Sequence, residues 1–259
     1  MLNLRDKIGK NKTLSSPMNT VIILDSVDST NSYAKSLDNP SHLTVIVANN
    51  QTKGRGRDGR EWKSFGEKNI SLSLILDYPL DGDHLGLLSI LTANAVVETI
   101  ESLNLKAEVK WPNDILVKSK KISGILSEAV FKNNKSKYLI VGVGINVNST
   151  SQDFDTENFK YRLEPTSVKS ETGGSCSRED LILVFLVSFF GWIQKFKHKK
   201  YKEILDFWLK RYPDFGRTVS VLKNGKQIDG KIVNLSLNGE LLLDVGGKIE
   251  IVNSGEIFP

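Results

Sequence analysis

The segment from Gln51 to Trp62 (QTKGRGRDGREW) combines the residue types best suited to holding an anion. Three glycines, at positions 54, 56 and 59, alternate with cationic side chains. Glycines let a backbone approach a ligand closely, and arginines bring planar, permanently charged donors that match carboxylates and phosphates. The residues alone leave three interpretations open: a site for a small anion, a nucleic-acid contact, or a solvated flexible loop. A Walker P-loop is excluded, because the chain has no GxxxxGK[ST] sequence.

A second polar cluster, KWPND at residues 110–114, has strand-like segments on both sides. Pro112 fixes the direction of the chain, and Asn113 and Asp114 offer oxygens to a hydroxyl, an amide or Mg²⁺. A plain turn between two strands accounts for the same residues equally well.

Two further segments place small residues beside strands. In KKISGILSE (120–128), a lysine next to a glycine at the start of an apolar strand can present its ammonium at a pocket wall, although a lysine pair also protects an edge strand from aggregation. In GVGINVN (142–148), small residues end a buried strand, which suits either a ligand surface or a turn.

The composition is that of an ordinary globular protein. The 259 residues are 39% hydrophobic and 25% charged, with a formal net charge of +5, and the length suggests either one large domain or one large domain with a second, small one. The single cysteine, Cys176, excludes an intrachain disulfide and fits a cytoplasmic location. No signal peptide is indicated, and the longest apolar stretch (181–193) is shorter than the roughly 20 residues of a membrane span.

Hydrophobic periodicity predicts the elements that position these clusters in a mixed α/β (α+β) domain. Strands are predicted at 20–24, 42–48, 69–76, around 109, and at 115–117, 122–131 and 138–143. Helices are predicted from a cap at Asp28–Asn31 through Leu37, over 88–103, and at 178–193 and 201–212. Residues 149–176 are expected to be mostly irregular.

The pattern changes after Pro213–Gly216 to short alternating strands separated by tight turns. Asn224-Gly225 and Asn238-Gly239 are strong hairpin signals. We therefore expect an irregular N-terminus (1–19), a large domain (20–212) that contains these clusters, and a small SH3-like β-barrel (213–259).

The order and spacing of these motifs are more specific than any one motif alone. GRGRxGRxW, KWPND, KxxGIL and GxGIN follow one another, preceded by DSTN at 28–31 and followed by PTSV at 165–168. This arrangement, over roughly residues 21–259, resembles the biotin protein ligase family. The resemblance implies a catalytic domain with a mixed sheet like that of class II synthetases, followed by the SH3-like domain. It also implies an enzyme that activates biotin with ATP and Mg²⁺ as biotinyl-5′-AMP and transfers it to a lysine of a biotin carboxyl carrier domain, on acetyl-CoA carboxylase or a related carboxylase.

The same resemblance assigns roles to individual residues. Those implied to bind biotin are Ser29, Thr30, Asn31, Gln51, Gly54, Arg55, Gly56, Arg57, Lys121 and Gly124. Those implied to lie at the nucleotide or adenylate are Arg57, Arg60, Trp62, Asn113, Asp114 and Asn146. Lys121 and Arg57 are the implied catalytic residues, and Asp114 is the implied Mg²⁺ ligand.

Two departures from the family pattern set further expectations. Some relatives act as repressors through an N-terminal winged helix-turn-helix of about 60 residues, whereas here about 20 polar residues precede the first strand. Specific DNA binding is therefore not expected, and we expect a monomer or weak homodimer. Some relatives also place a tryptophan near adenine where this chain has Leu163, Glu164 and Pro165, so the adenine contact is unassigned. The alternatives are lipoate ligation, and a non-catalytic protein that binds nucleic acid through the basic loop.

Overall fold

A computed structural model describes residues 3–17, 20–76, 85–132, 135–155, 161–223, 226–253 and 255–258. A mixed seven-stranded sheet has the strand order β1-β2-β3-β7-β6-β5-β4. Its strands are β1 (Val21–Val27), β2 (Thr44–Gln51), β3 (Ile70–Leu76), β4 (Glu108–Lys110), β5 (Asp114–Val117), β6 (Lys120–Lys132) and β7 (Lys135–Ile145). The β1–β2 pair is parallel and every other neighbouring pair is antiparallel. The predicted strands are confirmed, with β6 and β7 longer than expected.

Helices cover the two faces of this sheet unequally. The helices are α1 (Leu4–Lys10), α2 (Thr30–Ser36), α3 (Leu85–Glu101), α4 (Ser151–Phe154), α5 (Val168–Thr172), α6 (Arg178–Lys197) and α7 (Tyr201–Leu209). One face packs on α3, which in turn packs on α6 and α7, and this side holds the main hydrophobic core. The other face carries α2 and a smaller cluster around Ile46 and Ile140. Among the described helices, none combines the length and apolarity needed to cross a membrane.

Local capping explains where two of these helices begin. Ser29 is the N-cap of α2, and its side chain accepts a hydrogen bond from the backbone of Ser32. Ser177 caps α6 in the same way, accepting from Asp180 N at 3.2 Å. A side-chain oxygen at this position satisfies an amide that the helix leaves unpaired. Both predicted helix starts are therefore confirmed.

The N-terminal segment differs from expectation. We predicted an irregular stretch, but the described residues form helix α1, whose Leu4 and Ile8 are fully buried. Leu14 is buried beyond the helix, and Lys7 forms an ion pair with Asp180 of α6. Three apolar anchors are enough to hold a short polar segment on a larger core, although they could not form a core alone. Residues 149–176 also include α4 and α5, and positions 156–160 lie outside the described residues.

The C-terminal part forms a second sheet with the order β11-β10-β9-β8-β12, antiparallel throughout. Its strands are β8 (Thr218–Lys223), β9 (Lys226–Leu235), β10 (Leu241–Val245), β11 (Lys248–Val252) and β12 (Glu256–Phe258). The expected SH3-like barrel is not closed in the described residues, where β11 and β12 are the two edges of an open sheet. The sequence pattern predicted four of these strands and missed β12, which has only three residues. The predicted Asn224-Gly225 turn lies outside the described residues.

The turn between β9 and β10 joins the two sheets. Trp111 Nε1, from the KWPND segment, donates a hydrogen bond to Gly239 O at 3.1 Å. Gly239 has φ +72°, and a Cβ built on it would lie 2.7 Å from Gly86 C in α3. Glycine is therefore required here for two reasons: the backbone has a positive φ, and the turn packs directly against the backbone of α3.

This close approach gives a test of the contact between the sheets. Gly239→Ala should lower the free energy of unfolding by about 1–3 kcal/mol more than Gly246→Ala, because only the first methyl group meets packed backbone. Gly246 is the matched control: its φ is +63°, and nothing lies within 4 Å of its Cβ position. Urea unfolding of both variants measures the difference. Equal losses would show that the turn does not pack against α3.

Candidate active site

The floor of the main cavity is a patch of sheet without side chains. Gly124 of β6 lies directly opposite Gly144 of β7, and Leu126 lies opposite Gly142. These positions share the face of the sheet that lies away from α3, because alternate residues of a strand point to opposite faces. Three glycines on two paired strands leave a hollow, and the cavity that they line has a volume of about 380 Å³.

The indole of Trp62 occupies one side of this hollow. A Cβ on Gly144 would overlap the indole ring, and a Cβ on Gly124 would lie 3.1 Å from Trp62 Cζ3. Trp62 Nε1 is buried and has no hydrogen-bond partner among the described residues. An unpaired buried N–H is costly, so the wall of the cavity offers a donor that a ligand acceptor would satisfy.

A chain of oxygens forms another part of the cavity wall: Thr30, Asn31 and Gln51 line the cavity, and the fully buried Ser73 joins them from outside the lining. Thr30 N donates to Gln51 Oε1 at 2.8 Å, which fixes the orientation of that amide. Thr30 Oγ1 lies 3.1 Å from Gln51 Oε1, and Ser73 Oγ lies 2.7 Å from Thr30 Oγ1 and 2.6 Å from Asn31 Oδ1. Two hydroxyl hydrogens serve three contacts, so this group has more acceptors than donors. A ligand that brings N–H groups complements it.

Behind Asn31, outside the cavity lining, lies the carboxylate of Glu128. It accepts from Asn31 Nδ2 at 2.9 Å and from Lys35 Nζ at 2.7 Å, and it forms an ion pair with Arg55 at 3.2 Å. Burial alone would raise the pKa of Glu128, but the hydrogen bonds from Lys35 and Asn31 and the charges of Lys35 and Arg55 outweigh burial and lower it. Glu128 is therefore an anion at neutral pH.

Cationic side chains line the remaining part of the cavity. Lys121 Nζ lies 2.6 Å from Asp114 Oδ1 and 5.6 Å from the centroid of the Trp62 ring. The β5–β6 pairing places Asp114 opposite Gly124, which brings the carboxylate to the glycine floor. The other cationic lining residues are Arg55, Arg57, Arg60, Lys63, Lys110 and Arg162. This arrangement can hold a polyanion such as a nucleotide triphosphate.

The glycine-rich segment folds back on itself beside the floor. Gly56 N donates to Arg60 O at 2.7 Å, and Trp62 N donates to Gly54 O at 2.9 Å. A Cβ on Gly54 would overlap the carbonyl of Trp62 and lie 3.0 Å from Gln51 Nε2. Gly54 thus acts by close packing, which lets the segment turn and places Trp62 against the sheet.

The structure brings the sequence-predicted site residues together at this one cavity. All of them line it except Gly54, which lies behind Trp62 and Gln51. The side-chain nitrogens of two predicted nucleotide contacts are engaged within the protein: Asn113 Nδ2 donates to Ile125 O at 2.7 Å, and Asn146 Nδ2 donates to Thr166 O at 3.0 Å. Asn146 Oδ1 also accepts from Asn69 Nδ2 at 3.3 Å, so this side chain supports the site as well as lining it.

Sequence reasoning missed an aromatic group at the cavity. Phe65 and Phe154 meet edge to face with ring centroids 5.4 Å apart, and Phe154 and Tyr161 do so at 6.2 Å. Gly255 and Ile257 also line the cavity from the C-terminal sheet. No local pattern marks these residues, because they are far apart in sequence and only the fold assembles them.

The expected Mg²⁺ ligand, Asp114, has few possible co-ligands among the described residues. Within the described residues, no group of three or more His, Cys, Asp and Glu side chains could hold a metal ion. Mg²⁺ at nucleotide sites is usually held by one or two carboxylates together with substrate phosphates. Asp114, a carboxylate paired with Lys121 on the cavity wall, fits an ion that is carried by a nucleotide.

Both parts of the chain are similar to known proteins. The profile described as the biotin/lipoate A/B protein ligase family matches residues 23–146, and that of the biotin protein ligase C terminal domain matches residues 214–258. The bifunctional ligase/repressor BirA of Bacillus spizizenii is 31% identical over 240 residues, covering 92% of this chain and 73% of that protein. The biotin--[acetyl-CoA-carboxylase] ligase of Paracoccus denitrificans is 25% identical, covering 91% and 99%.

A solved structure agrees with the architecture. The biotin protein ligase from Aquifex aeolicus in complex with biotin and ATP superposes with a TM-score of 0.76 at 31% identity, covering 93% of this chain and 98% of that one. The sequence identity, the superposition over both sheets and the motifs around the glycine floor all indicate the same family. The chain belongs to the biotin protein ligases of the biotin/lipoate A/B protein ligase family.

Proposed function

We propose that the protein activates biotin with ATP as biotinyl-5′-AMP and transfers the biotinyl group to a lysine of a biotin carboxyl carrier domain, on acetyl-CoA carboxylase or a related carboxylase. The observation that carries this proposal is a single cavity with two chemically distinct parts. One part has a surplus of acceptors on Thr30, Asn31 and Gln51, and the other carries the cations around Lys121. Biotin has matching ends, a ureido ring with two N–H groups and a carboxylate.

The acceptor surplus favours biotin over lipoate, the related substrate in this family. The dithiolane ring of lipoate has no N–H group, so it would leave the surplus acceptor among the oxygens of Thr30, Asn31 and Gln51 without a donor. Leaving a buried polar group unpaired costs about 1–3 kcal/mol. We therefore assign the pocket at residues 29–31 and Gln51 to the ureido ring, and the glycine floor to the bicyclic ring system.

The first chemical step joins two anions. A carboxylate oxygen of biotin forms a bond to the α-phosphorus of ATP, and the bond from that phosphorus to pyrophosphate breaks. Two unit charges 4 Å apart repel by about 4 kcal/mol at an effective dielectric constant near 20. Lys121 and Arg57, with Arg60 and Lys110 on the same cavity, would offset that repulsion and stabilise the charge on the transferring phosphoryl group.

In the second step the ε-amine of the acceptor lysine attacks the acyl carbon, AMP leaves, and the amine loses a proton. Biotinyl-AMP is a mixed anhydride that water hydrolyses, so the site has to exclude water until the carrier arrives. The segment at 54–62, placed against the floor by Trp62, is the element suited to this task. Mg²⁺, carried with the phosphates beside Asp114, would supply additional positive charge.

Lys121→Ala should lower the rate of biotin-dependent ATP–pyrophosphate exchange by about 10²- to 10³-fold, because a cation beside the reacting anions is lost. The matched control is Lys120→Ala, which removes the neighbouring ammonium that pairs with Glu164 and does not line the cavity. Exchange in that control should stay at the wild-type rate. Exchange at the wild-type rate in Lys121→Ala would reject the assignment of Lys121.

Residues 53–64 should exchange their amide hydrogens quickly in the free protein and slowly once biotinyl-AMP has formed. Few backbone hydrogen bonds hold this segment, and its three glycines leave the backbone little restrained until a ligand packs against it. Hydrogen exchange with and without biotin and ATP measures the change, and the buried strand β3 serves as the internal reference. Equally slow exchange in both states would contradict the proposed ordering.

A further inference from the structure

The carboxylate of Glu128 is shared by two elements of the biotin pocket. Its Oε2 accepts from Asn31 of α2, and its Oε1 faces both Lys35 of α2 and Arg55 of the glycine-rich segment. All three neighbours are donors and two of them are cations. The side chain is 16% exposed, so water satisfies little of it and the protein partners determine its state. Glu128 lies on the same face of β6 as Gly124 and Leu126, which places it next to the floor but outside the cavity lining.

The amide of Asn31 has only one orientation that suits its neighbours. Its Nδ2 faces two acceptors, Glu128 Oε2 at 2.9 Å and Leu126 O at 3.1 Å, while its Oδ1 faces Ser73 Oγ at 2.6 Å. A reversed amide would bring its oxygen against the other two oxygens. The Asn31 amide is also closely packed against the sheet, because a Cβ on Gly142 would overlap it. Without Glu128, one of the two acceptors that fix this orientation is lost.

We propose that Glu128 is a positioning residue for biotin recognition: it keeps Asn31 Oδ1 among the acceptors of the ureido pocket, and it ties Arg55 of the glycine-rich segment to the same carboxylate. The proposal rests on the proposed function, since it concerns the pocket assigned to the ureido ring. It goes beyond that function by adding a residue that does not touch the ligand. Glu128 also links the ureido pocket to the glycine-rich segment, so that ordering of the segment depends on ordering of the pocket.

Glu128→Gln is the most informative variant, because it keeps the shape of the side chain and removes one acceptor. A glutamine has one oxygen, whereas Asn31 on one side and Lys35 with Arg55 on the other all require acceptors. Whichever way the new amide turns, its NH₂ group faces another donor. We expect the Kd for biotin, measured by isothermal titration calorimetry, to rise about tenfold, which corresponds to about 1.4 kcal/mol. The KM for biotin should rise with it, while kcat at saturating biotin changes by less than about twofold.

Glu101→Gln is the matched control. Glu101 forms a two-point ion pair with Arg211, at 3.0 and 2.8 Å, and neither residue lines the cavity. This variant loses a comparable carboxylate pair, so it should lose stability in urea and keep the wild-type Kd for biotin. Glu128→Ala, which removes all three contacts, should weaken biotin binding at least as much as Glu128→Gln does.

The outcomes separate the two proposals. A wild-type Kd in Glu128→Gln would overturn the role of Glu128 and leave the proposed function standing. So would equal weakening of biotin binding in Glu101→Gln, because the effect would then follow general stability. A tenfold fall in kcat for Glu128→Gln, with an unchanged KM for biotin, would also overturn the claim that Glu128 positions the ureido pocket. A wild-type protein that binds no biotin, alone or with ATP, would overturn both proposals.

Discussion

The site depends on the absence of side chains at three positions of two paired strands. Gly124, Gly142 and Gly144 leave the central sheet bare on one face, and the indole of Trp62 and the amide of Asn31 fill the space that side chains would have taken. A methyl group at any of the three would meet one of these two side chains. The packing of the glycine-rich segment and the orientation of the ureido pocket therefore follow from the same constraint.

Around this floor the protein divides its polar groups by charge and by hydrogen-bonding capacity. Neutral acceptors lie around Thr30 and Ser73, and cations lie around Lys121 and Arg57. The two groups are joined through Glu128, whose lowered pKa keeps a negative charge between Asn31 and Arg55. A substrate with N–H donors at one end and a carboxylate at the other complements both groups, and neither alone would distinguish it from other anions.

Much of this arrangement could be predicted from the sequence, because it is encoded locally. The hydrophobic alternation of β3, the cap at Ser29 and the periodicity of α3 and α6 are each complete within a short window. The motifs around Arg57 and Lys121 are ambiguous one by one, but their order and spacing can also be read directly from the sequence.

What could not be predicted depends on contacts between distant segments. Glu128 stands in an ordinary strand pattern, and its importance appears only when Asn31 and Arg55 are placed beside it. Helix α1 is polar apart from its buried anchors, and the C-terminal sheet alternates as a barrel would, so closure could not be judged from its pattern. The most direct test of the account is the mass of a biotin carboxyl carrier domain after incubation with the protein, ATP, Mg²⁺ and either biotin or lipoate. The account predicts a gain of one biotinyl group with biotin and no gain with lipoate, whereas no gain with biotin, or an equal gain with lipoate, would contradict it.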